Sequence, residues 1–211
     1  MEEIKIQAPK WKLYLAVFGI IVFVIIGIFM LFGDTSLFEK LAGILAIVFF
    51  GGFGGMAMYS TLVRGTGNIL ISPVCLKLSF PGCPTIPINW SDIEDFGTYQ
   101  ISGQRFTTIK LNHYGNLMNS IHPDDAAQFV KKFRSMRIMG YATAVVGVLH
   151  LENIKELLAV MPKSSELKDF AAFLNYSRNR FGGEFLIGWN MRDRNAVRFA
   201  EFLRDKKINY T

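Results

Sequence analysis

Two apolar runs constrain this 211-residue chain more than any other feature. The first is 13–32, LYLAVFGIIVFVIIGIFMLF, and the second is 41–63, LAGILAIVFFGGFGGMAMYSTLV. Neither contains Asp, Glu, Lys, Arg or His. A hydrocarbon layer of about 30 Å takes roughly 20 apolar residues as a helix, and a helix satisfies its own backbone there. Neither run has the polar face of a surface helix. The sequence-based expectation is an α+β membrane protein: a polar N-terminal segment over 1–12, a two-helix transmembrane hairpin over 13–63 and a folded domain over 64–211. The alternative is a pair of buried core helices.

The linker Gly33–Lys40 is charge-balanced, whereas Lys5, Lys10, Lys12 and Arg64 flank the hairpin on its other side. The positive-inside rule then puts both termini in the cytoplasm. The first run is longer than a signal-peptide apolar region and no small-residue cleavage site follows, so it is expected to be retained. Four basic and four acidic residues precede Arg64, so the whole formal charge of +6 falls in the rest of the chain. That excess suits an anionic surface. Nucleic acid is not expected as a partner, because the basic residues are dispersed and no recognition motif occurs. Cys75 and Cys83 lie eight apart without a CxxC or a histidine nearby, which fits free thiols in a reducing compartment.

Gly51 and Gly55 form a GxxxG in the second run, a motif that lets helices approach closely. It is read either as packing within the hairpin, against Gly19 or Gly27, or as an oligomer contact.

Beyond Arg64 the hydropathy period becomes two. Segments 68–72, 74–80, 86–90, 93–101 and 105–112 read as antiparallel strands with turn chemistry at Pro73 and Pro81-Gly82-Cys83-Pro84, and 116–121 as a short sixth strand. A helix is expected from Pro123, with Asp124 and Asp125 at its positive end and Ala126, Phe129, Val130 and Phe133 on its apolar face. Its basic residues Lys131, Lys132, Arg134 and Arg137 are candidates for a lipid-facing surface, against the alternative of a solvated helix side. Tyr141–Leu151 reads as a buried strand or core-facing segment, Asn153 to Leu158 as a capped helix, and Ser164 or Ser165 as the cap of a further helix closed at Gly182-Gly183. Glu184–Trp189 reads as a last strand and Asp193 as the cap of the closing helix.

Pro87-Ile88-Asn89-Trp90-Ser91-Asp92-Ile93, following two apolar strands and a turn, resembles the IPW-x-D-I signature of bacterial pleckstrin-homology-like domains. The chain resembles a family of uncharacterised bacterial inner-membrane proteins in which a two-helix hairpin precedes such a domain. The resemblance implies a curved antiparallel sheet closed by a C-terminal helix, here with helices inserted over 123–183, and a multi-pass place in the inner membrane. Trp90, Asp92 and Ile93 carry the signature, and Trp90 is expected to anchor the core rather than touch a ligand.

No catalytic constellation emerges. His113, His122 and His150 are isolated, and no P-loop, GxSxG, GxGxxG or HExxH occurs. Asp92, Glu94 and Asp95 read as solvated carboxylates at a strand start. No metal or cofactor is expected. The sequence therefore supports a non-enzymatic, membrane-anchored binding module acting through a protein partner or self-association. The alternatives are an immunity protein that neutralises a bacterial toxin, and an anionic-lipid-sensing domain.

Overall fold

The computed structural model describes residues 3–34, 36–56, 59, 65, 67–101, 103–146 and 167–210; residues 12, 13, 16, 53 and 135–146 are described by backbone alone. The chain divides into two units, Met1–Ala8 with Gly67–Thr211, and Pro9–Thr66.

The second unit is a helical hairpin. Helix α1 spans Lys10–Phe32 and α2 spans Leu37–Ala46, and α2 continues into a π-helical stretch, Ile47–Gly54. A reciprocal capping box starts α2. The Ser36 N–H donates to Glu39 Oε2 at 2.7 Å, and the Glu39 N–H donates to Ser36 Oγ at 3.3 Å. The helices meet at Gly27 and Gly43. A Cβ on Gly43 would stand 2.7 Å from the Gly27 carbonyl oxygen, so only glycine fits. Gly51 and Gly55 are not the tight contact: Gly51 has only ordinary contact with Val24, and the position of a Gly55 Cβ is open. Phe23 and Phe50 stack at 4.3 Å.

The transmembrane expectation is corrected here. Among the described residues, no helix is long and apolar enough to cross a membrane. The second run does not continue as one α-helix: ten residues of α2 give way to π winding at the glycine-rich stretch, where each N–H reaches one residue further back. The first helix begins among Lys10 and Lys12 rather than at the start of the apolar run. The same finding removes the basis for a multi-pass inner-membrane location and for the membrane-protein part of the fold class. What stands is an α+β chain with antiparallel sheets.

The other unit holds seven described strands. Strands β1 (Ile4–Ile6), β2 (Asn68–Ile71), β3 (Cys75–Ser79) and β4 (Thr85–Asn89) form one antiparallel sheet in that order. Strands β5 (Ile93–Ile101), β6 (Gln104–Leu111) and β7 (Phe185–Ile187) form a second. Strand β1 was not anticipated. It pairs with β2, Ile4 opposite Ile71 and Ile6 opposite Ile69, so the hairpin is inserted between two neighbouring strands. Alternation places Ile69, Ile71, Leu76, Leu78, Ile86 and Ile88 inside. Pro87 is tolerated because β4 is an edge strand whose outer side needs no donor.

Helices α3 (Gly115–Ser120), α4 (Pro123–Val146) and α5 (Phe170–Phe181) lie between β6 and β7 in the chain, and α6 (Ala196–Tyr210) closes it. Segment 116–121 is therefore helix rather than strand. Tyr141–Val146 continues α4, while the rest of the expected segment to Leu151, the expected helix at Asn153 to Leu158, and Ser164 and Ser165 lie outside the described residues. Asp169 caps α5 through a 2.8 Å bond from the Ala172 N–H. Gly182 ends it at φ +73°, a conformation that favours glycine. Asn195, not Asp193, caps α6, accepting from the Arg198 N–H at 2.9 Å. The Asp193 carboxylate instead holds the Arg194 guanidinium. Helix α6 packs Phe199, Ala200 and Leu203 against β5 and β6, and its Ala196 carbonyl accepts from Thr107 Oγ1.

Candidate functional site

The signature residues turn inward. Trp90 is 2 % exposed; its indole N–H donates to the Ser72 carbonyl at 2.8 Å, and its ring lies 5.7 Å from that of Tyr210. Ile93 is fully buried. Asp92 corrects the solvated-carboxylate expectation, being 2 % exposed. It accepts from Asn116 Nδ2 at 2.7 Å and Asn89 Nδ2 at 3.2 Å, with His113 Nε2 at 3.6 Å. These bonds satisfy a buried carboxylate and pin the short 3₁₀ turn Trp90–Asp92 to α3. The signature therefore positions α3.

Helix α3 is one wall of a cavity of about 630 Å³ whose other walls are the first turns of α4 and the start of α5. Met118, Ile121, Ala126 and Val130 give it an apolar lining, and Lys131 and Lys168 stand at its edge. Behind this wall, Phe129 and Val130 enter the core, with Phe129 only 1 % exposed.

The three basic residues of α4 whose side chains are described, Lys131, Lys132 and Arg134, have different surroundings. Lys131 is exposed and borders the cavity. Lys132 is half-buried near Cys83; burial pushes the Cys83 thiol up, and the Lys132 charge partly offsets this. Arg134 donates from Nε and Nη2 to the Leu167 carbonyl and from Nη2 to the Lys168 carbonyl, so it ties the segment before α5 onto α4. The side chain of Arg137 lies outside the described residues.

Sequence reasoning missed a polar network beside β5 and β6. Glu184 is fully buried and accepts from the Leu111 N–H at 2.9 Å, the Tyr114 hydroxyl at 2.9 Å and Arg178 Nη1 at 3.0 Å. Arg178 also donates to the Leu111 carbonyl and to Glu94, and Lys110 completes the chain by pairing with Glu94. A bulge between Ile93 and Asp95 re-aims these side chains, sending Glu94 towards Arg178 and Asp95 towards Arg204. Burial opposes the charge on Arg178, yet Glu184 and Tyr114 hold its pKa above the ordinary value. The Lys110 hydrogen bond is the main cause of a lowered pKa at Glu94.

Among the described residues, no group of three or more His, Cys, Asp or Glu is arranged to hold a metal ion. Cys75 and Cys83 are free thiols. His150 lies outside the described residues. The chain matches no protein-family model, no curated protein and no solved structure.

Proposed function

We propose that this chain is a non-enzymatic binding module whose cavity between α3, α4 and α5 receives an acidic, amphipathic segment of a protein partner. The observation that carries the reading is an apolar cavity with cationic residues at its edge. Met118, Ile121, Ala126 and Val130 offer apolar contact, while Lys131 and Lys168 border it. Asp169 also borders the cavity, but its carboxylate is taken up in capping α5. A segment with apolar anchors and flanking carboxylates fits such a groove, the helix-in-groove mode of recognition. The resemblance to bacterial pleckstrin-homology-like domains, with sheets closed by α6, supports a binding role as well.

The test selects displayed peptides on the full chain and measures the affinity of those that emerge. The expected result is enrichment of peptides that combine Leu or Phe anchors with Asp or Glu. Ala127 is exposed at the cavity wall, so Ala127→Trp fills the space without burdening the core and is expected to abolish binding. Lys131→Glu and Lys168→Glu are each expected to weaken binding by about threefold to fivefold, because exposed pairs are worth up to about 1 kcal/mol. Enrichment of basic peptides, or binding indifferent to Ala127→Trp, overturns the reading. Self-association of the chain that Ala127→Trp disrupts would replace the partner with a second copy.

A further inference from the structure

A second cavity, of about 610 Å³, lies between the end of the β5–β6 hairpin and the first turn of α6. Its charged lining consists of Arg105, Arg192, Arg198 and Glu201, an excess of two positive charges. Arg192 is the unusual member. It is 6 % exposed, and its Nη1 and Nη2 atoms donate to the carbonyls of Arg194 and Arg105. Its Nε is buried without a partner among the described residues. The adjacent carboxylate, Asp193, is engaged in two hydrogen bonds from Arg194 at 2.8 and 2.7 Å. Glu201 adds to the charge stabilisation of Arg204, whereas burial alone shifts Arg192, whose pKa it lowers. Arg192 is thus a buried guanidinium with no carboxylate paired to it among the described residues. A guanidinium keeps its charge, so burial without a counter-ion is costly.

The groups around Arg192 would suit an anion. Arg105 and Arg198 are exposed at the mouth, and α6 presents the positive end of its dipole there. Asn195 occupies the Arg198 N–H, and Ala196 and Val197 of the first turn line the cavity. The volume exceeds what a bare ion needs and falls in the range of about 300–1,000 Å³ common for small-molecule sites. A phosphate monoester carries about −1.5 to −2 charges at pH 7, which matches the positive excess of the lining.

We infer that this cavity binds a phosphate monoester, with Arg105, Arg198 and the start of α6 at the mouth and Arg192 supplying buried positive charge behind them. The site is separate from the α3–α4–α5 cavity and does not depend on the function proposed there.

The full chain is titrated with inorganic phosphate and with glycerol 3-phosphate by calorimetry, against chloride at equal ionic strength. Binding of both phosphates is expected. The double substitution Arg105→Ala and Arg198→Ala, which removes two exposed side chains and their charge-assisted hydrogen bonds, is expected to weaken it about tenfold or more. Arg192→Gln removes the buried charge and is expected to weaken binding by a similar factor. A short-chain phosphatidic acid binding far more tightly than glycerol 3-phosphate would identify the source as a lipid headgroup; equal binding would identify a free phosphate ester. Phosphate binding no stronger than chloride overturns the proposal, as does phosphate affinity unchanged in both the double variant and Arg192→Gln.

Discussion

Phe129→Ala is expected to destabilise the sheet-bearing unit by about 4 kcal/mol, the range for deleting a buried aromatic ring with partial collapse of the space left behind. Phe129 is the meeting point of the aromatic core. Its ring lies 5.1–5.6 Å from those of Phe80, Phe133, Phe170 and Phe173, and 6.4 Å from that of Phe185. These separations fall in the favourable range for ring pairs, each worth about 0.5–1.5 kcal/mol beyond area burial. The five partners come from the turn after β3, from α4 itself, from α5 and from β7, so one ring joins the inserted helices to both sheets. Losing it leaves a void shared by all of them. Urea unfolding followed by tryptophan fluorescence, to which Trp90, buried in this unit, contributes, reads the effect as a lower midpoint. Phe129→Leu, which retains much of the buried volume, is expected to lower the midpoint less. A midpoint unmoved by Phe129→Ala would mean that the aromatic nest does not hold the inserted helices to the sheets.

How much of this was legible in the sequence depends on the range of the interaction. The strands after Arg64 were readable because alternation is local: Ile69 and Ile71, Leu76 and Leu78, and Ile86 and Ile88 mark one face without knowledge of their partners. The start of α4 at Pro123 and the stop of α5 at Gly182 were readable for the same reason. Strand β1 was not, because three residues carry too little pattern and its partner follows the whole hairpin insertion. Asp193 reads as the cap of α6 because Asp is a good capping residue, but Arg194 captures its carboxylate and Asn195 caps instead. The apolar runs were read by length and lack of charge, which do not encode where α-helical winding changes to π winding. The cavity at α3 was illegible because 116–121 reads as a strand until Asn116 is seen bonded to Asp92. Arg192 carried no signal at all: its isolation is a property of what surrounds it in three dimensions.

Glu184 is the other residue on which a large effect is expected. Glu184→Leu should cost about 3 kcal/mol. Removing one partner from a buried pair costs about 3–5 kcal/mol, and the lower end applies because the remaining Arg178 is a third exposed and can recruit water. The loss has three parts, since the Leu111 N–H and the Tyr114 hydroxyl also lose their acceptor. The pH dependence separates this site from a simple packing defect. Burial first, then the hydrogen bond to Glu184 and its charge, push the Tyr114 pKa up to about 12. An ordinary phenol ionises near 10. A group whose pKa is raised on folding contributes stability in full below its unfolded value and loses it as the pH rises through the folded one. Stability should therefore fall between about pH 10 and about pH 12, and the fall should shrink in Tyr114→Phe. Phenolate absorbance is the direct check: the difference between the parent and Tyr114→Phe titrations isolates one late-ionising tyrosine. In Glu184→Gln the negative charge is gone, and that late step should move back towards the ordinary phenol range. If it stays in place, desolvation alone sets the Tyr114 pKa, and the carboxylate at Glu184 is not the electrostatic centre of the network.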